Sequence, residues 1–345
     1  MKSIDRQTAD RVIAISQLSD YAPGNDLASL AHGLLFQQQD SWELLRRGYA
    51  SLASVRTRSF QIGTGEVKVQ FNPGRITSSA AKVDAKSIQE RPCFLCVQNL
   101  PPEQLGILYD GEYLVLCNPF PIFPEHFTIA HVQHQPQQIV RSFPVLLGLS
   151  RELAERYGVF YNGPKCGASA PDHLHFQAGV RGFLPIEAEY EEVKTKSGRV
   201  ITQTEKLLVF SAGEFSRPFV AFESPDEETL VSAFLRFYSA FQKLTGSSEE
   251  PMMNILAYHD DGKWRVLVFP RAKHRPSFFF EEGEKKILIS PAAVDLGGVC
   301  TTPVERDFER VTEDHLDQMF REVSLQPEIF TRLESQLVAA LATDS

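Results

Sequence analysis

Two histidines and a glutamine occupy alternate positions in Pro171-Asp172-His173-Leu174-His175-Phe176-Gln177. Successive side chains of a β-strand point to opposite faces, so His173, His175 and Gln177 would share one face while Leu174, Phe176 and Ala178 fill the other. A polar triplet backed by an apolar one describes a sheet with a site on one side. Directly upstream runs Asn162-Gly163-Pro164-Lys165-Cys166-Gly167-Ala168-Ser169. Its small residues let backbone N–H groups approach a ligand closely, and such nests favour anions. Lys165 adds a charge and Ser169 a hydroxyl. An anion held beside a neutral imidazole points to chemistry at phosphorus, where imidazole is a competent nucleophile near neutral pH.

Three further groups carry chemical potential. Cys93-Phe94-Leu95-Cys96 offers two thiolates to a tetrahedral zinc ion, which needs two more ligands; His126, His131, His134 and His173 are the candidates. Pro92 before the motif and Asn99-Leu100-Pro101-Pro102 after it argue against the strand–CxxC–helix setting of a redox pair. Reduced structural cysteines are the other reading. Gln70-Phe71-Asn72-Pro73-Gly74-Arg75, followed by Lys82, sets Asn72 and Arg75 at a strand end, and arginine suits bidentate phosphate recognition. Arg271, Lys273, His274 and Arg275 form a second basic cluster, read as an anion site or as a solvated turn.

The elements that would position these groups fall into three stretches. Residues 1–60 read as helical, with apolar residues from Leu27 to Leu52 at helical spacing on one helix or two. Residues 61–205 are rich in strand signals: Glu66–Phe71 ending at Asn72-Pro73-Gly74, Tyr113–Cys117, Phe127–Ala130 and His173–Val180, with a helix from Ser142 to Tyr157. Residues 206–345 repeat the mixture, with strands at Leu207–Phe210, Phe219–Phe222, Trp264–Phe269 and Ile287–Ile289. A helix spans Glu228–Leu244, and a helical C-terminus breaks at Pro327. The element order of this last stretch echoes the one before it. Phe278-Phe279-Phe280, the densest aromatic cluster, reads as core.

Composition narrows the classes. The 345 residues are 43% hydrophobic and 23% charged, ordinary values for a globular chain of one large or two smaller domains. No apolar run reaches the ~18 residues of a membrane span, and MKSIDRQTAD lacks a signal-peptide core. Lys+Arg 35 against Asp+Glu 44 leaves −9, which argues against nucleic-acid and anionic-membrane partners. Five cysteines, two of them in a CxxC, suit a reducing compartment, and a cytoplasmic location is expected.

Together these residues resemble the histidine-triad superfamily, in the branch of galactose-1-phosphate uridylyltransferases, diadenosine tetraphosphate phosphorylases and GDP-hexose phosphorylases. The branch's His-x-His-x-Gln pattern is matched by His173-Leu174-His175-Phe176-Gln177, with Gly167-Ala168-Ser169 upstream, one residue further off than is usual. Gln70–Arg75 resembles the QLNEGR segment of GDP-L-galactose phosphorylases. Pro124–His134 resembles the superfamily's strand and following histidine. Asn254-Ile255-Leu256 and Trp264–Arg271 resemble the phosphorylases' second half.

The resemblance implies an α+β fold of two histidine-triad-like halves, with antiparallel sheets flanked by helices. An N-terminal helical segment (1–60) would precede a half carrying the site (61–205) and a degenerate half (206–345). It implies that His175 attacks the α-phosphorus of an NDP-sugar or dinucleoside polyphosphate, forming a nucleotidyl-histidine that passes to phosphate or a sugar phosphate. Gln177 and Ser169 would assist. Gln70, Asn72, Arg75, Asn162, Lys165, Gly167, Arg271 and Lys273 are expected to bind substrate. A structural zinc ion would sit on Cys93, Cys96, His134 and His173, with His126 competing for the third place. A homodimer is left open. The alternatives are a nucleotide hydrolase and a non-catalytic protein that binds nucleotides or sugar phosphates.

Overall fold

In the computed structural model, which describes residues 4–76 and 85–342, a β-hairpin of β1 (Arg56–Ile62) and β2 (Gly65–Phe71) precedes the main sheet. That sheet takes five strands from the first part of the chain: β3 (Gly106–Tyr109), β4 (Tyr113–Cys117), β5 (His126–His131), β6 (Tyr157–Asn162) and β7 (His175–Val180). Five more follow: β8 (Arg199–Gln203), β9 (Leu208–Ala212), β10 (Phe219–Ser224), β11 (Met253–Asp260) and β12 (Lys263–Pro270). The order is β3-β4-β5-β7-β6-β11-β12-β10-β9-β8, antiparallel throughout. Finally β13 (Val299–Thr302) returns to pair in parallel with β2.

Read outward from the central β6–β11 pair, the two sets of five have the same topology. Three antiparallel strands lead into a helix (Phe143–Glu152 or Glu227–Thr245), and two further strands follow with the second inserted between the third and fourth. The echo in the sequence is thus a repeated strand order. One difference matters for chemistry. Between β6 and β7 lies the loop 163–174, whereas β11 and β12 are joined by Asp261-Gly262 alone. Both turn residues have positive φ, +49° and +74°, as a tight hairpin turn of matching twist requires. The second set has no room for a loop that could cradle a ligand.

Alternation decides which face carries a site. Phe127, Ile129, Phe176 and Ala178 join the larger core, under helices Leu27–Ser41, Phe143–Glu152, Glu227–Thr245 and Pro327–Leu341. On the opposite face, β10, β11 and β12 place Ala221, Leu256 and Leu267 in a second core. The first set has His126, Thr128, His175 and Gln177 at the equivalent height, paired Thr128 to Gln177 and Ala130 to His175. Polar residues there leave the core unfilled, and a cavity forms.

The sequence reading differs from the structure in places. Residues 27–51 hold two helices, Leu27–Ser41 and Glu43–Ser51, after a single helical turn at Arg6–Ala9, but the stretch 1–60 ends in β1, whose alternation in Arg56–Ile62 the helical reading overlooks. Ile287–Ile289 is not a strand, although both isoleucines are buried. The helix expected to reach Tyr157 stops at Glu152, and Tyr157 opens β6. Phe278 and Phe279 are core, but Phe280 is 69% exposed. Lys82 lies outside the described residues.

The central pair is pinned by Glu250, whose carboxyl accepts from Ile139 N and from the Tyr161 hydroxyl, both at 2.7 Å. Burial pushes this carboxyl up to about 7, although both hydrogen bonds pull it down. The unfolded chain releases that proton near pH 4.5, so the folded state binds more protons between there and pH 7. Stability is therefore expected to fall as pH rises through this window. Thermal melts at pH 5 and pH 8 check it. Glu250→Gln should shrink the difference, because the amide oxygen keeps one bond and the Tyr161 hydroxyl can turn to accept the other.

Candidate active site

The cavity, about 560 Å³, opens on the polar face of the first five strands and is walled by both parts of the chain. His175 begins β7 at its edge. Its backbone N–H donates to Gln137 Oε1 at 2.8 Å and its carbonyl accepts from Gln137 Nε2 at 3.0 Å, so one side-chain amide clamps this residue. The ring lies with Nδ1 2.8 Å from the His173 carbonyl. A carbonyl only accepts, so Nδ1 carries the proton and Nε2 keeps its lone pair. Burial pushes the ring's pKa down to about 4, which keeps it neutral at physiological pH.

Gln177 shares the face and is aimed by His126. The fully buried His126 has Nδ1 3.3 Å from Ile122 N–H, so that nitrogen accepts; Nε2 then carries the proton and donates to Gln177 Oε1 at 2.9 Å. Burial, reinforced by the Arg75 charge, pushes the His126 pKa down to about 3. With its oxygen occupied, Gln177 is left to offer its NH2 donors to the cavity. Asn162 is fixed in the same way, because its Oδ1 accepts from Asn254 Nδ2 and Ala293 N, both at 2.8 Å. Gly167 and Ser169 also line the cavity. Gly167 has φ +94°, and a Cβ there would come within 2.6 Å of the Ala292 Cβ, so the loop needs glycine at this point.

Other residues expected at the site are placed differently. Arg75 lines the cavity and donates to the Phe120 carbonyl at 2.7 Å. Gln70 and Asn72 lie behind that wall, bonded to each other and to the Ile122 and Pro121 carbonyls. They brace the segment Pro119–Ile122 rather than reach a ligand. Lys165 is exposed and paired with Glu249, and Lys273 is exposed 3.6 Å from Glu322. Arg271 is buried, and its five donors go to Val323 O, Asn254 Oδ1, Pro291 O, Lys273 O and His274 O, which leaves none for substrate. From that basic cluster it is His274 and Arg275 that line the cavity.

Several lining residues escape a reading of the sequence. Asp295, pushed up to about 6 by burial, comes from a short helix over one hundred residues from the triad, and no local pattern marks it. Arg91 and Thr301 are likewise brought in by tertiary folding. His126 could have been found, because the alternation that groups His175 with Gln177 also puts His126 and Thr128 on one face. Among the described residues, six buried side-chain polar atoms have no hydrogen-bond partner. Three of them, Arg75 Nε, Arg91 Nη1 and Thr301 Oγ1, belong to residues lining this cavity. Unsatisfied buried donors are costly, about 1–3 kcal/mol each, and three around one cavity suit an anionic ligand.

Beside the cavity, Cys93, Cys96, His134 and His173 bring their ligand atoms within 4.8 Å of one another. Sγ–Nδ1 separations are 3.3 Å for Cys93–His173 and 3.2 Å for Cys96–His134. Ligands about 2.3 Å (S) and 2.0–2.1 Å (N) from a tetrahedral zinc stand roughly 3.5 Å apart, so the donor set fits. The His173 Nε2–H donates to the His131 carbonyl at 2.7 Å, fixing the tautomer that turns Nδ1 inward. His126 is engaged with Gln177 and is not part of this group. After Cys96 comes a single 3₁₀ turn, Val97–Asn99, not the helix of a redox motif.

Residues 34–180 match a domain of unknown function (DUF4922), and residues 197–344 match the GDPGP1-like C-terminal domain. The chain is 26% identical over 148 residues to a galactose-1-phosphate uridylyltransferase of Bacillus subtilis, covering 37% of this chain and 29% of that protein. It is 37% identical over 94 residues to a diadenosine 5',5'''-P1,P4-tetraphosphate phosphorylase 2 of Saccharomyces cerevisiae, covering 22% of this chain and 29% of that one. These matches span under a third of each relative's length. A crystal structure of yeast Ap4A phosphorylase superposes with TM-score 0.52 at 20% identity, over 82% of this chain and 94% of that chain. Its complex with Ap4A gives TM-score 0.53 at 18% identity, over 82% and 97%. The chain is thus similar in sequence to these two enzymes over part of their length, and it shares its fold with the yeast phosphorylase. Its fold class is α+β, as the resemblance implies. Within the shared fold the first five strands carry the polar face and the second five a filled one. Among the described residues, no helix is long and apolar enough to cross a membrane.

Proposed function

We propose that this protein is a nucleotidyltransferase of phosphorylase type. It would transfer a nucleoside monophosphate from an NDP-sugar or dinucleoside polyphosphate to phosphate or a sugar phosphate. The observation that carries the reading is the locked tautomer of His175. Its Nδ1–H is held by the His173 carbonyl, its Nε2 has no partner among the described residues, and cationic donors likewise without partners line the same cavity.

In the first step the Nε2 lone pair forms a bond to the α-phosphorus, and the bond from that phosphorus to the bridging oxygen breaks. The oxygen leaves with the electron pair on a phosphate ester, which takes up a solvent proton. The ring then bears a positive charge, which the Nδ1–H···O=C bond to His173 stabilises. In the second step an oxygen of the acceptor phosphate attacks phosphorus, the P–N bond breaks, and neutral His175 is restored. Gln177 NH2, Asn162 NH2 and the 167–169 loop donate to the phosphoryl oxygens. Bound at its Cys/His group, a zinc ion would act structurally, fixing His173 and with it the carbonyl that orients His175.

The test is intact-protein mass spectrometry at neutral pH, avoiding acid because phosphoramidates are acid-labile. The protein is mixed with a panel of NDP-sugars, dinucleoside polyphosphates and nucleoside triphosphates. A gain of one nucleoside monophosphate, discharged by added phosphate or sugar phosphate, is expected, and its mass names the base. An adduct discharged by water alone would mean a hydrolase. Binding without any adduct across the panel would mean a non-catalytic nucleotide-binding protein.

A further inference from the structure

Arg91 lines the cavity two residues before Cys93 and belongs to neither the metal-ligand group nor the triad. Its Nη2 donates to the Ser169 carbonyl and to Asp172 Oδ1, each at 3.2 Å, and its guanidinium lies 5.1 Å from the centre of the Phe94 ring. Its Nη1 is buried, has no partner among the described residues, and belongs to a side chain lining the cavity beside Ser169. We propose that Arg91 binds a phosphate oxygen of the nucleotide substrate through Nη1, and that Asp172 is the positioning residue that holds it there. The proposal rests on the transfer reading above and adds a ligand contact to it.

Pairing with Asp172 does not by itself account for this arginine. An ion pair whose side chains are 25% and 21% exposed contributes little, whereas an orphaned buried donor is costly. Nor is Asp172 devoted to Arg91. Its Oδ2 lies 3.8 Å from Nε2 of His134, whose Nδ1 faces Cys96, so the same carboxylate stands near a metal-ligand histidine with one oxygen and bonds the guanidinium with the other. This arrangement leaves the Nη1 donor for an incoming anion. Arg271 is the contrast within the molecule, a buried arginine with every donor used. The guanidinium of Arg91, held through Nη2 by Ser169 and Asp172, leaves Nη1 to donate to a phosphate oxygen. Asp172 adjoins the triad in sequence but is turned toward the cation, where it need not repel a phosphate.

Binding isotherms with AMP, GMP, CMP and UMP, each beside its parent nucleoside, test this on the zinc-loaded full chain. For the best-bound base, Arg91→Gln should weaken the nucleoside monophosphate roughly 10- to 100-fold and leave the nucleoside unchanged. Arg91→Lys, which keeps the charge but loses the fork, should fall between. Asp172→Asn should weaken the nucleotide several-fold without changing zinc content. Unchanged nucleotide affinity in Arg91→Gln would overturn the proposal, and so would equal losses for nucleotide and nucleoside, which a merely structural role predicts. If the unsubstituted protein binds none of the four nucleotides, the transfer reading falls first and this assignment with it.

Discussion

His175→Ala is expected to form no nucleotidyl adduct and to lose turnover by about 10⁴-fold or more, with the fold retained. The size follows from the two-step route, which has no other group to carry the phosphoryl centre. Retention of the fold follows from how the residue is held. Its N–H and carbonyl are clamped by Gln137, and that clamp uses backbone groups that alanine keeps. The ring's own partner, the His173 carbonyl, can bond to water that fills the space left in the cavity wall once the imidazole is gone. Turnover, adduct mass and a thermal melt, measured on one preparation, separate the outcomes. A variant that melts normally and still turns over would dismiss His175 as the nucleophile.

Cys93→Ser/Cys96→Ser is expected to lose one equivalent of zinc per chain and roughly 5–10 °C of melting temperature. The knuckle is part of a small core of its own, in which Cys93, Leu95, Cys96, Val97 and Leu100 meet Leu114, Leu116, Ala130 and Ala170. So little apolar area needs a cross-link to hold it against β4 and β5. Serine keeps the volume and removes the thiolate, so the loss reports on metal ligation and not on packing. Activity should fall as well, because His173 supplies both a ligand atom and the carbonyl that orients His175. Elemental analysis of the unsubstituted protein is the companion measurement. A metal-free preparation with full stability and turnover would refute the ligand set.

What the sequence reveals here follows the range of each physical signal. Period-two alternation is local, and it identifies the face of His175 and Gln177, although β7 itself starts at His175 and not at His173. The spacing of Cys93 and Cys96 is local too, and the two histidines that join them come from the segments that resemble a known superfamily. The roles of Arg271 and Lys273 could not be read this way. A cation's role depends on whether its donors are already taken, and Arg271 gives all five to groups as distant in sequence as Val323. Asp295 and Thr301 reach the cavity only because β13 returns to pair with β2. Strand β1 is masked by the helical pattern on its N-terminal side, which ends at Ser51 with only four residues before the strand begins at Arg56.

The join between the two sets of strands has a thermodynamic meaning. At β6–β11, Asn162 faces Asn254, and through that contact the amide presented to a ligand is held by a residue from the other set. The cavity itself is walled by Phe160 and His175 from one set, and by Arg275, Ala292 and Asp295 from beyond the other. A molecule bound there is gripped by the whole chain, and neither part can open without releasing it. Whatever free energy the ligand contributes is then shared by all ten strands as a single cooperative unit.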